Sequence, residues 1–203
     1  MMTPEIVDCE QRSPEWFQAR LGIPTTSEYK IIIAKGRGKE ESKGRRKYLF
    51  MLAGEVITGE SSDGGFTNRH MERGIEMEAE ARDRYQFLHP NHVLTRVGFV
   101  RNGRTGGSPD SFVDDDGILE IKTALPHILG ELLIEDEFPL EHKAQCQGLL
   151  WITGRQWIDI LVYWPKMRSL IKRAHRDEAY IKDLATAVEQ FNAELAELVE
   201  RLR

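Results

Sequence analysis

Cysteine is scarce in this chain: Cys9 and Cys146 are the two among 203 residues, far apart and without metal-type spacing. That excludes a disulfide-stapled scaffold and a cysteine-based zinc site, and it favours a reduced, cytoplasmic setting. Long apolar runs are missing too. Nothing approaches the roughly 18–20 apolar residues that span a bilayer, so no membrane role is expected. The opening residues MMTPEIVDCEQ lack a basic stretch followed by an apolar one and do not read as a secretory signal. Internal repeats are absent, which excludes a repeat architecture.

What is present is the composition of an ordinary globule, 40% hydrophobic and 30% charged, long enough for one well-filled core and one domain spanning 1–203. A net charge of −5 argues at first against a polyanionic partner, but the charge is unevenly spread. Between Lys30 and Lys47 eight basic residues face Glu40 and Glu41, so this segment carries +6 and the remainder −11. A basic stripe on an acidic body suits a protein that holds nucleic acid along one surface; a solvated loop is the alternative.

Ser13-Pro14 is a helix start, with Ser as cap and Pro in the first turn, and Gly22 ends that helix. Thr26 or Ser27 caps a second helix running into Ile31-Ile32-Ile33. The Gly- and Lys-rich stretch from Lys35 to Gly44 reads as a loop. A helix from Arg45 to Thr58 carries Tyr48, Leu52 and Val56 on one stripe. Ser61 to Gly65 is again a loop, and a long helix from Asn68 to Leu88 stops before Pro90. Strands are expected at Val93–Val100, at Asp110–Val113 and, after the turn Asp114-Asp115-Asp116-Gly117, at Ile118–Thr123. Helices follow at Pro126–Leu133 and Leu140–Thr153. Trp157–Trp164 has the length and β-branched content of a buried central strand. Tyr180, Leu184, Val188, Phe191, Leu195, Leu198 and Leu202 recur at steps of three and four, describing an amphipathic helix over 176–203 that packs on the body or on a neighbouring subunit. The order is helices (13–88), a mixed sheet (93–164), then helices: an α/β fold with one central mixed sheet flanked by helices.

The run GGSPDSFVDDDGILEIK, ending at Lys122, is the most telling. It places Asp110 at the end of a Ser-Pro-Asp turn and, ten positions on, the triplet Glu120-Ile121-Lys122. Strand side chains alternate, so Glu120 and Lys122 share a face while Ile121 turns to a core. Phosphodiester hydrolysis needs an activated water, neutralisation of charge on the phosphorus centre and a stabilised leaving oxygen. One or two Mg²⁺ ions supply all three, and the ions of two-metal sites lie roughly 3.5–4 Å apart. Hard oxygen donors suit Mg²⁺, with Mn²⁺ as a substitute. Asp110, Glu120 and the Ile121 carbonyl fit as ligands. Lys122 would orient or help deprotonate the water and counter developing charge. A surface hairpin with solvated charges is the plain alternative, but it leaves the glycines of Gly106-Gly107-Ser108-Pro109 without a reason.

SPD followed by LEIK resembles the PD-(D/E)xK nuclease superfamily, and the wider chain resembles its phage-lambda-exonuclease branch, the YqaJ-type viral recombinases. The likeness runs from about Trp16 to Trp164 and rests on four stretches in order: WFQARLGIPTTSEY, ERGIEMEAEAR (Glu72–Arg82), the SPD–LEIK pair and HKAQCQGLLWITG (His142–Gly154). The family's Tyr four residues after its Gln is replaced by Leu149, and its Cys-Pro after the lysine by Thr123-Ala124.

The resemblance implies that Glu78 is a further ligand, where the residues alone leave a Glu78–Arg82 pair open. It implies that Gln145 bonds active-site water or phosphate, with Gln147 competing for the role. It implies a terminal-phosphate pocket from Arg20, Arg37, Ser27 and Ser108, and Met71 as a wedge between bases; Ser27 as a helix cap and Met71 as core remain alternatives. The implied activity is 5′→3′ digestion of one strand of linear duplex DNA by a ring-shaped homotrimer, leaving 3′ tails for a single-strand annealing protein in a bacterial host. A restriction- or repair-type endonuclease and a non-catalytic DNA-end-binding module are the alternatives.

Overall fold

The protein is described by a computed structural model covering residues 3–36, 42–62 and 69–203, with backbone alone at 69–72, 74 and 75. In chain order the elements are β1 (Glu5–Val7), α1 (Pro14–Arg20), α2 (Tyr29–Ile32), α3 (Lys43–Thr58), α4 (Arg69–Leu88), β2 (Leu94–Thr95), β3 (Phe99–Asn102), β4 (Thr105–Gly107), β5 (Ser111–Val113) and β6 (Gly117–Thr123). They continue with α5 (Pro126–Glu135), α6 (Lys143–Thr153), β7 (Trp157–Tyr163), β8 (Leu170–His175) and α7 (Glu178–Leu202).

The described residues form a five-stranded sheet in the order β2-β5-β6-β7-β8 and a three-stranded sheet in the order β1-β3-β4. β6 and β7 pair in parallel from Gly117↔Trp157 to Thr123↔Tyr163, and the other neighbours in the larger sheet are antiparallel, so it is mixed as expected. Every residue of β7 is buried, as its largely apolar run demands, and the one acid in it, Asp159, is held by Arg173 at 2.8 Å. The two faces of β6 meet different partners. Ile118 packs with Cys146, Leu149 and Leu150 of α6, whereas Leu119 and Ile121 pack with Ala81 and Tyr85 of α4. Glu120 and Lys122 therefore stand on the α6 face of a sheet whose opposite face is closed by α4. Burial pushes the Cys146 thiol far up, in keeping with an inert core cysteine.

Helix α7 buries Ile181, Leu184, Val188, Phe191, Leu195 and Val199. It packs on this chain's own α3, through Tyr48, Leu49 and Leu52, and with Ala144 of α6. Ser13 caps α1 by accepting from the Trp16 amide at 3.2 Å, and Gly154 ends α6 in left-handed backbone (φ 74°).

Several expectations need correction. The single strand Val93–Val100 is two strands in different sheets. The chain changes sheet at Gly98, where an added Cβ would lie 2.1 Å from the Cys9 carbonyl oxygen. β1, β4 and β8 went unforeseen. Neither Thr26 nor Ser27 caps a helix: Thr26–Glu28 is a 3-10 turn without a side-chain cap, and Ser27 Oγ lies 3.2 Å from Thr25 Oγ1. On α3, Val56 is exposed and Glu55 is buried instead, because its carboxylate accepts the Gly22 amide at 3.0 Å and the Ser62 amide at 2.9 Å. Residues 37–41 of the expected Lys35–Gly44 loop, Arg37 among them, lie outside the described residues, as do 63–68.

Candidate metal centre

β5 pairs with β6 only from Gly117 to Leu119. Beyond that ladder the Asp110 carboxylate takes over the edge of β6, its Oδ2 accepting the Ile121 amide at 2.5 Å. Ile121 thus stands where the ladder ends and the Asp110 side chain begins. Burial raises the Asp110 carboxyl well above the usual carboxylate range; the charges of Glu120 and Glu78 add to this and Lys122 opposes it.

Glu120 is only 3% exposed. Its Oε1 accepts from Lys122 Nζ at 2.8 Å and from Gln145 Nε2 at 2.6 Å. Its Oε2 is buried with no hydrogen-bond partner. An orphaned carboxylate oxygen beside a second, strained carboxylate is costly unless a cation answers both. The donors are all hard oxygens, so the set fits Mg²⁺ or Mn²⁺ and no thiolate- or imidazole-preferring metal. For Lys122, burial alone would lower the ammonium, but the charges of Glu120 and Asp110 and the bond to Glu120 outweigh it. Its pKa lies above the ordinary lysine value, so it is a cation at neutral pH.

Glu78 lies on α4 with Oε1 at 2.7 Å from Arg82 Nη2, and the same nitrogen donates to the Asp110 carbonyl at 3.1 Å. Arg82 Nε is held by Ser111 Oγ at 3.0 Å. Glu78 is therefore close to the Asp110 turn yet drawn to Arg82. Among the described residues, no three His, Cys, Asp or Glu side chains gather as a ready cation cage.

The two glutamines separate cleanly. Gln145 reaches Glu120, whereas Gln147 donates to the His175 carbonyl at 2.9 Å and accepts the Asp177 amide at 2.9 Å, clipping β8 to α7. The Gly106-Gly107 pair also acquires a reason, and it is packing: added Cβ atoms would meet the Phe99 ring at 2.2 Å and Thr26 Oγ1 at 2.4 Å.

Among the phosphate-pocket candidates, Trp16 links two. The Arg20 guanidinium lies 4.0 Å over its ring, and its Nε1 donates to Ser108 Oγ at 2.7 Å. The i,i+4 spacing of Trp16 and Arg20 in α1 is the sequence signal for this stacking. Arg20 also lines a cleft of about 290 Å³ with Lys47, Thr25 and Glu28. Ser27 is exposed, and the Met71 side chain lies outside what is described. Within the basic stripe, Arg45 is turned to Glu194 at 2.7 Å and lies 5.2 Å from the Phe191 ring centre, so it belongs to the α3–α7 packing.

This architecture has clear relatives. The YqaJ-like viral recombinase domain matches residues 15–156. The chain belongs to that family. An alkaline exonuclease from Laribacter hongkongensis has the same fold, with a TM-score of 0.84 and 31% identity over 94% of this chain and 96% of that one. The same enzyme in complex with dAMP matches equally well. A phage-related exonuclease from Haemophilus somnus 129PT shares the fold alone, at TM-score 0.70 and 15% identity over 89% of this chain and 96% of the other. No curated protein matches. Membership of the YqaJ-like family agrees with the resemblance carried by SPD and LEIK. Among the described residues no helix is long and apolar enough to cross a membrane.

Proposed function

We propose that the protein is a divalent-metal-dependent 5′→3′ exonuclease acting on linear double-stranded DNA and leaving 3′ single-stranded tails for phage-type recombination. The observation that carries the reading is the partnerless Glu120 Oε2 beside the Asp110 carboxyl. Mg²⁺ or Mn²⁺ held by Asp110 and Glu120, with Glu78 and the Ile121 carbonyl completing the set, would supply charge neutralisation and an activated water. Lys122, held 2.8 Å from Glu120, counters negative charge developing on the phosphate and orients or helps deprotonate the water. Gln145 and Lys122 together hold Glu120 in one rotamer. Arg20, Ser108, Ser27 and Arg37 take the terminal phosphate through charge-assisted and hydroxyl hydrogen bonds. Met71 wedges the end apart. That the Laribacter enzyme is an exonuclease and binds dAMP, a mononucleotide of the kind an exonuclease releases, supports the same reading. A homotrimeric ring around the duplex and a single-strand annealing partner, in a cytoplasmic host setting, complete the proposal.

The test is a digestion series on 5′-phosphorylated linear duplex and on covalently closed circular plasmid with Mg²⁺. Release of mononucleotides from the 5′-ended strand of the linear substrate alone is expected. Cutting of the circle would replace this reading by the endonuclease one, and inertness toward both by the end-binding module. Light scattering on the purified protein tests the ring, which a monomer on DNA would defeat.

A further inference from the structure

A second cleft, of about 510 Å³, is lined by Asp110 together with Glu78, Arg82, Arg96 and Arg12. Arg12 is unusual there. It occupies the third position of a turn closed by the Ser13 amide donating to the Glu10 carbonyl at 3.0 Å, and its φ is 72°. Left-handed backbone at that position favours glycine, because any Cβ crowds the following carbonyl. The turn is also fixed in register with the carboxylates. Gln11 Nε2 donates to the Val97 carbonyl at 2.8 Å and to that of Pro109, the residue before Asp110, at 3.1 Å.

The strain needs a return, and pairing with Glu78 does not give one. The Arg12 side chain is 46% exposed and its guanidinium lies 4.0 Å from Glu78 Oε2, whereas the better-buried Arg82 already bonds Glu78 at 2.7 Å. An exposed pair at that distance contributes little. Asp8 and Glu10 also line the cleft, so it is no general trap for anions. Strain retained by a bulky residue beside reactive carboxylates is a mark of function.

Resting on the exonuclease reading, we infer that Arg12 is a substrate-binding residue that contacts one phosphate of the DNA strand lying across Asp110 and Glu78. A guanidinium half open to solvent and four ångströms from a carboxylate is free to swing onto a phosphate oxygen, where its bond is charge-assisted.

Arg12→Gly separates the alternatives, because glycine relieves the backbone while deleting the side chain. Melting temperature, affinity for a fluorescent 5′-phosphorylated duplex in Ca²⁺, and KM and kcat on the same duplex in Mg²⁺ are measured for wild type, Arg12→Gly and Arg12→Lys. The glycine variant is expected to melt no lower than wild type, to bind DNA roughly ten-fold more weakly, and to lose about one unit from its log-affinity against log-salt slope. Arg12→Lys should recover part of the affinity. A glycine variant with wild-type affinity and salt slope overturns the inference while the wild type still digests DNA. Failure of the wild type to digest linear duplex defeats the exonuclease reading itself.

Discussion

Glu120 and Lys122, two positions apart on one face of β6, form a 2.8 Å ion pair that uses only one of the two carboxylate oxygens. The lysine thereby fixes the rotamer of a buried acid while leaving Oε2 buried without a hydrogen-bond partner. Lys122→Ala is expected to abolish cleavage and leave DNA binding largely intact. It should also lower stability by on the order of 2 kcal/mol, because a buried carboxylate loses its cation. Single-turnover digestion and anisotropy on one preparation check this; wild-type cleavage by the alanine variant would remove Lys122 from the chemistry.

Asp110 makes a prediction about pH. Its folded-state pKa lies above that of an unfolded chain, so the native state binds the proton more tightly. The resulting cost is complete above the folded value, fades as pH falls through it, and is gone below the unfolded value. Asp110→Asn, which can still accept the Ile121 amide, should be inactive yet more stable without metal at neutral pH. The expected gain is about 1 kcal/mol or more, roughly 2–4 °C in Tm for a chain of this size, shrinking toward acid. Thermal melts in EDTA across pH 4–8 measure it. A variant less stable than wild type throughout would show that the carboxylate is not strained.

Gln145 and Gln147 should part ways. Gln147→Ala leaves the His175 carbonyl and the Asp177 amide without their partner and is expected to cost about 1–3 kcal/mol, with kcat of the folded fraction nearly unchanged. Gln145→Ala should change Tm little and lower kcat. Reversal of the two phenotypes would mean that the wrong glutamine has been placed beside Glu120.

Gly107→Ala drives a Cβ to within 2.4 Å of Thr26 Oγ1 and 3.0 Å of Leu149 Cδ2. Overpacking there is expected to cost about 1–3 kcal/mol. Since Gly107 precedes Ser108 and Asp110 by only a few residues, the displacement should also depress activity in protein that remains folded. A neutral effect on denaturant midpoint would show that the β4 backbone has room.

Much of this was readable from local pattern. The alternation in Ile118–Lys122 announced which side chains share a face, and the apolar run of Trp157–Tyr163 announced a buried strand. The steps of three and four in α7 gave its buried stripe, with Ile181 and Val199 taking the inner places expected for Tyr180 and Leu198, and Leu202 left exposed at the helix end. What escaped depends on contacts distant in sequence. β8 carries Lys172 and Arg173 and reads as polar, but Arg173 is held by the buried Asp159 at 2.8 Å across the β7 pairing. Glu55 looks like a surface residue until Gly22 and Ser62, far from it in sequence or beyond the helix end, bring it their amides. Glu78 was placed by family likeness; the Glu78–Arg82 pair that its i,i+4 spacing left open is formed, and what the sequence hid is that Arg82 also bonds the Asp110 carbonyl. Gln145 could not be told from Gln147 because helix periodicity does not say which of two near neighbours looks at a strand.

The central claim is that Asp110 and Glu120 together hold a divalent cation. Calorimetric titration of Mn²⁺ into wild type and into Asp110→Asn at pH 7.5 tests it most directly. Wild type is expected to bind the ion, and the asparagine variant, which lacks one anionic ligand, to bind roughly ten-fold more weakly or worse. Equal binding by the two proteins, or none by wild type, would contradict it.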